Sequence, residues 1–380
     1  MRPPAIIALS AVVAALAFAC HGPSAGPTGV VSGPPAGVAA CAGTAVMTRS
    51  PVALSALQEI TPLGNLNPTG HVFPSDHLYL IAPPSAAAPA TLVAPANIVV
   101  ANVGRQSRSG GGQAAGVDYI MQFFPCADVM LYFYHMATVT PEILAQVGSF
   151  DVGCSPSYVT GGVTYQQCYK TVSIAVPAGT PLGTMVNGVD LGGYDRRIPT
   201  LAYVDAARTV GGDGVFGANH AICPLDYFVN SVADSMRALL GGRGQRRTVA
   251  PLCGQVMQDV AGTAQGRWFF GSEQHDDPHL ALVHDNVDAT LGAFSVGSSI
   301  ATLAAGVYTF TTLPSGRVNA DFSRVTADGA VYCYQSALWA KHILLRMTDI
   351  ATLQIGAAAP GSCGDASTWT LTGISTQFAR

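Results

Sequence analysis

The chain has 380 residues, nine of them cysteine, a net charge of −4 and only 11% charged side chains. So sparse and slightly acidic a charge set offers no basic field to hold phosphate backbones, which sets nucleic acid aside as a partner. The length leaves room for two domains of ordinary size once a leader is removed.

Met1 and Arg2 precede an apolar, Ala-rich run from Ala5 to Ala19, with Ala17 and Ala19 placed for cleavage. This is the pattern of a secretory signal peptide over 1–19, and the run is shorter than the roughly 20 residues a spanning helix needs. Cys20 follows directly and permits two readings, the lipid-modified first residue of a lipoprotein or a plain thiol left by ordinary cleavage. The charge-free Gly, Pro, Ser and Ala stretch that opens 20–45 is a flexible tether and suits the first reading. The expected location is the periplasm or the cell surface, with the membrane reached only through such an anchor.

The other eight cysteines, Cys41, Cys126, Cys154, Cys168, Cys223, Cys253, Cys333 and Cys363, form an even set, which in an exported chain pairs into disulfides. No C-x-x-C occurs, which argues against a cysteine zinc site. Nearest-neighbour pairing gives Cys154 with Cys168, Cys223 with Cys253, Cys333 with Cys363 and, by elimination, Cys41 with Cys126, although spacing alone does not fix connectivity.

Short runs rich in Val, Ile, Tyr and Phe read as strands at Leu78–Ala82, Asn97–Val103, Asp118–Phe124, Val129–His135, Tyr169–Val176 and Thr200–Val204. Thr140-Pro141 before Ile143, Leu144 and Val147 starts one helix, with Thr as N-cap and Pro at the first position. The spacing of Leu225, Phe228, Val232, Met236 and Leu239 predicts an amphipathic connecting helix over 224–243, ended by Gly241-Gly242. The basic cluster Arg243, Arg246 and Arg247 reads as its solvated C-terminal turn. Strands return from Leu252 onward. The expected class is therefore mostly β: a β-sandwich or barrel over 46–215, the connecting helix, and a second β-rich domain over 250–380.

The segment Thr61 to His77 puts His71, Asp76 and His77 on a Pro/Gly-shaped loop entering a strand, and these are ligand types for a divalent metal. The alternative is that they cap and brace a turn. The order of elements beyond this loop resembles the lysostaphin-type (LytM-like) zinc endopeptidases that cut peptidoglycan cross-bridges. The resemblance spans about residues 60 to 205. Its pieces are His71 with Asp76 for H-x-x-x-D, Val93-Ala94-Pro95 for the apolar "AP" segment, Phe133-Tyr134-His135-Met136 for Y-x-H-L, and Ala178-Gly179-Thr180-Pro181-Leu182-Gly183 for G-x-x-I-G.

Two departures stand out. His71 and Asp76 are separated by four residues where the family has three, and the H-x-H position reads Gly188-Val189-Asp190. The resemblance implies zinc held by His71, Asp76 and Asp190, with His77 as a second-rank ligand and His135 as the surviving catalytic histidine. Gly188 stands where the family keeps another, and losing one acid/base group typically costs about 10² to 10⁴ in rate. The implied function is an exported envelope protein with a peptidoglycan-metallopeptidase-like domain, weakly active or inactive. The alternative is a non-catalytic module that binds a glycan, a peptide or another envelope protein.

The second dense set, His275-Asp276-Asp277-Pro278-His279 with His284-Asp285, reads as solvated loop residues, because His279 and His284 would face opposite sides of a strand. Trp268, Trp339 and Trp369 read as core more readily than as sugar-stacking platforms. No G-x-S-x-G occurs, so serine hydrolase chemistry has no support.

Overall fold

The computed structural model describes residues 33–84, 88–110, 113–160, 162–210, 216–273 and 275–380. The predicted leader and Cys20 lie outside the described residues, as does the first part of the tether. Among the described residues no helix is long and apolar enough to cross a membrane.

Alternation of apolar and polar side chains builds the first half. Its strands are β1 (Glu59–Thr61), β2 (His77–Ile81), β3 (Ala90–Val93), β4 (Ile98–Gly110), β5 (Gln113–Cys126), β6 (Val129–Met136), β7 (Thr138–Val139), β8 (Tyr158–Thr160), β9 (Val163–Val176), β10 (Pro181–Met185) and β11 (Gly188–Asp195). Eight of them form one antiparallel sheet in the order β1-β2-β11-β6-β5-β4-β9-β8, and β3-β10-β7 form a smaller one. Leu78, Leu80, Met121, Phe123, Leu131, Phe133, Val189 and Leu191 point to one side of the large sheet and pack with Leu92, Leu182 and Met185 of the small one. With a period of two, the residues between them must face the other way. That opposite face carries the candidate site.

Helix α1 (Pro141–Val147) starts as expected, with Thr140 extended and Pro at its first turn. The helical period over 224–243 resolves into a 3-10 turn, Pro224–Tyr227, and α3 (Asn230–Arg237), whose Ala233 and Met236 join the first core. The stretch 200–204 is not a strand: it runs irregularly into α2 (Ala206–Val210), and the Tyr203 ring lies 4.5 Å from the Arg267 guanidinium. A short ribbon, β12 (Gly241–Gly242) with β13 (Gln245–Arg246), follows α3. The basic cluster on it is solvated at Arg243 and Arg246, as expected, but not at Arg247. Arg243 pairs with buried Asp285 at 2.7 Å, and Arg247 is itself buried, donating to the carbonyls of Pro251 and Asn286.

The second half is two antiparallel meanders. One is β14 (Gly266–Trp268), β15 (Leu280–His284), β16 (Leu291–Val296) and β17 (Gly306–Thr311); the other is β18 (Tyr332–Tyr334), β19 (His342–Asp349), β20 (Thr352–Ala358) and β21 (Thr376–Ala379). They face each other over Trp268, Leu282, Phe294, Phe310, Tyr334, Leu345, Ile355 and Phe378. Trp268 is fully buried, as read from the sequence.

Four disulfides join Cys41 to Cys126, Cys154 to Cys168, Cys223 to Cys253 and Cys333 to Cys363. Nearest-neighbour pairing holds throughout, and this density of bridges belongs to an oxidising, exported environment. The fold is mostly β, with open sheets and no closed barrel among the described residues.

Candidate metal centre

The polar face of the large sheet gathers side chains from β2, β11, β6, β5 and β4. On β2 it receives His77 and Tyr79, whose rings meet at 4.8 Å. On β11 it receives Asp190 and Tyr194, with Gly192 between them. A Cβ at Gly192 would lie 2.0 Å from the Tyr132 ring, so only glycine lets that ring lie across β11. On β6 it receives Tyr132 and Tyr134.

His135 reaches the same face by an irregularity. Leu131 and Phe133 point into the core, and strict alternation would send His135 after them. Instead, three residues of β5 (Tyr119 to Met121) oppose four of β6 (Phe133 to Met136), and His135 adopts φ 64°. The bulge turns His135 outward and returns Met136 to the core. A non-glycine residue in this conformation costs on the order of 1–3 kcal/mol, and such strain collects at functional sites.

The histidines and carboxylates form two connected pairs around Asp190. His77 Nδ1 lies 3.1 Å from Asp76 Oδ1, and the same carboxylate accepts hydrogen bonds from Tyr132 (2.9 Å) and Tyr194 (2.7 Å). Asp76 thus stands behind His77 with both oxygens engaged. His77 Nε2 is buried, has no hydrogen-bond partner, and faces Asp190 Oδ2 at 3.4 Å. His135 Nδ1 lies 3.0 Å from Asp118 Oδ2, and its Nε2 is 3.7 Å from Asp190 Oδ2. Arg108 donates to the same oxygen of Asp118 at 2.7 Å, and Gln106 donates to the other at 3.4 Å. His71 sits at the rim with its ring 5.5 Å from that of His77.

Electrostatics follow from this arrangement. Burial, with a smaller contribution from neighbouring His77, lowers the His71 pKa to about 4, so His71 is a neutral imidazole at neutral pH. Burial also opposes protonation of His77 and His135, but the facing carboxylates outweigh it and raise both. Burial raises Asp190, while Asp76 is held well below the usual carboxylate range because its bonds to His77, Tyr194 and Tyr132 outweigh burial. The groups that face Asp190 are the imidazoles of His77 and His135.

The spacing tests whether a metal fits. An orphaned nitrogen 3.4 Å from a carboxylate oxygen is too poorly aligned for a hydrogen bond, yet two ligands of one tetrahedral zinc, each about 2.0–2.2 Å from it, lie about 3.3–3.6 Å apart. His77 Nε2 and Asp190 Oδ2 have that separation. Among the described residues no three His, Cys, Asp or Glu side chains are drawn together tightly enough to hold an ion as they stand, so His71 would have to close in.

The structure therefore brings together His71, Asp76, His77, His135 and Asp190, all named from the sequence, and exchanges the positions of Asp76 and His77 relative to Asp190. Sequence reasoning missed Asp118, Arg108, Tyr132 and Tyr194. Asp118 carried a legible signal: a charge between β-forming residues at the alternation opposite Tyr119, Met121 and Phe123.

The second histidine-rich set is not a solvated loop. His279 is buried and stacks on Phe73 at 5.2 Å, and His284 Nε2 meets Asp321 at 2.8 Å. The chain matches no protein-family model, no curated protein and no solved structure.

Proposed function

We propose that this chain is an exported, LytM-like metallopeptidase of the bacterial envelope, with His71, His77 and Asp190 as zinc ligands and His135 as the assisting base at a cell-wall peptide bond. The observation that carries the reading is the orphaned His77 Nε2, at ligand spacing from buried Asp190. It amends the ligand set implied by the resemblance. Asp76 moves behind the metal and His77 takes its place, so two imidazoles and one carboxylate are kept, with His and Asp exchanged between β2 and β11.

When bound, zinc would polarise the scissile carbonyl and lower the pKa of water towards about 7. The chain's own residues do the rest. Asp76, held by Tyr132 and Tyr194, accepts the Nδ1 proton of His77 and fixes the tautomer that leaves Nε2 free as a ligand. Asp118 holds Nδ1 of His135 in the same way, so that Nε2 can take a proton from the attacking water. The His135 side chain is 43% exposed, open enough for a substrate to reach. The leader and Cys20 would set the enzyme in the periplasm or at the cell surface, tethered through 20–45 if Cys20 is acylated.

Incubation of the purified chain with peptidoglycan should release soluble muropeptides, and His77→Ala or chelation should stop it. A specific feature favours a second reading: Gly188 supplies no imidazole where the family has one. A protein that binds zinc and peptidoglycan but releases no fragments would be the non-catalytic envelope module.

A further inference from the structure

We propose that the second half of the molecule is a clamp for the loop that carries His71, and that Phe73, Phe269, His279 and Asp276 are positioning residues for the metal centre. The inference rests on the metal-site reading and gives a role to residues 250–380.

The loop from Pro62 to Asp76 has little structure of its own. Backbone hydrogen bonds between Asn67 and His71, 2.9 and 2.8 Å long, close a small turn at its tip, Gly64 N–H to Ser75 O (2.9 Å) and Ser75 N–H to Asn65 O (3.1 Å) close its base, and the flanks between lean on the second half. At its start, Asn286 Nδ2 donates to the Pro62 carbonyl at 2.9 Å, and Leu63 N–H donates to the Cys253 carbonyl at 2.9 Å. Gly64 passes so close to Gln255 that a Cβ there would stand 2.3 Å from its carbonyl oxygen.

The firmest hold lies two residues past His71. The Phe73 ring is buried between His279, stacked at 5.2 Å and 18°, and Phe269, edge-on at 5.1 Å and 67°. The Arg267 guanidinium lies 5.0 Å from the same ring. Ala281 and Val283 of β15 complete the apolar pocket. The Asp276 carboxyl faces the backbone N–H groups of Val72 and Phe73. His279 is locked in turn, its Nδ1 accepting the Phe270 N–H at 3.1 Å.

His71 is the ligand that must close in, and it is the only one of the three on a loop. His77 and Asp190 are fixed by sheet pairing, with His77 opposite Gly192 and Asp190 opposite Tyr79 and Tyr134. The anchored Phe73 therefore sets where the His71 imidazole can stand. A residue that orients a ligand without touching the metal typically changes affinity by about 10- to 100-fold when lost.

The test compares zinc affinity, by competition with a chromophoric chelator, in the full chain and in Asp276→Ala, Asp276→Asn and Phe269→Leu, none of which touches the metal. Asp276→Ala and Phe269→Leu should bind zinc about 10- to 100-fold more weakly with the melting transition retained, and Asp276→Asn, which keeps an acceptor, should recover most of the loss. Amide exchange over 67–76, measured without metal, should quicken in Asp276→Ala, which a loop held by its own turn would not show. Wild-type affinity and unchanged exchange in both variants would overturn the clamp alone. A wild-type chain that binds no zinc, with exchange over 67–76 still quickened by Asp276→Ala, would overturn the metal reading and leave a structural clamp only.

Discussion

Two regions of this chain look alike in composition and differ in what their histidines have left over. Around β2, β6 and β11, the imidazoles of His77 and His135 each spend one nitrogen on a carboxylate behind them and turn the other toward Asp190, where no hydrogen bond is made. Around β14 and β15, His279 spends its ring on Phe73 and its Nδ1 on a backbone N–H, and His284 spends Nε2 on Asp321. The first cluster holds buried binding capacity in reserve; the second is consumed by packing. Density of metal-capable residues does not separate them. The unsatisfied imidazole nitrogen does, because a buried polar atom without a partner costs on the order of 1–3 kcal/mol and persists only where something else compensates.

Substitutions sharpen this contrast by how much each removes. The largest effect is expected from Asp190→Ala, which takes away the carboxylate both imidazoles face: zinc binding should disappear in a chelator competition, whereas Asp321→Asn, the corresponding change in the second cluster, should leave it intact. Next, His135→Ala should lower peptidoglycan cleavage by about 10²- to 10⁴-fold while keeping the metal, because a proton-transfer group is lost and no ligand is. Equal loss of metal and activity in that variant would mean that His135 is a ligand.

Asp76→Asn should weaken zinc by about 10- to 100-fold through His77, without abolishing it. Complete loss would restore Asp76 as a direct ligand. The smallest effect belongs to the second cluster. Asp321 is held below the usual carboxylate range, first by His284 and then by Ser323 against burial. A depressed carboxylate stabilises the fold above its unfolded pKa and loses that contribution as pH falls through the lower folded value. Urea unfolding of Asp321→Asn should therefore show a shallower loss of stability below about pH 4 than wild type, with no change in zinc affinity.

Much of this was legible in the sequence. The alternation in Leu78–Ala82, Asp118–Phe124 and Val129–His135 put strands where they lie, and the even cysteine set paired with its nearest neighbours. His71, Asp76, His77, His135 and Asp190 are all legible as candidates from residue type and spacing. What the sequence could not give was the face each side chain takes. His135 faces outward only because a bulge adds a residue to β6, and nothing local marks the bulge. Asp76 and His77 exchange roles because β2 starts at His77, which frees Asp76 to turn behind it toward two tyrosines supplied by β6 and β11. Arg247 and the 275–285 histidines read as solvated from the sequence because their partners, Asn286, Phe73 and Asp321, lie far off in sequence or on another strand. The segment 200–204 has strand composition but pairs with no strand among the described residues, and its Tyr203 ring lies against the Arg267 guanidinium instead.

The most direct measurement is the metal content of the chain purified without added metal or chelator, beside His77→Ala and His284→Ala prepared in the same way. The account predicts close to one zinc per molecule in wild type and in His284→Ala, and none in His77→Ala. A metal-free wild type that also takes up no zinc on titration, or a His77→Ala variant that keeps its zinc, would contradict it.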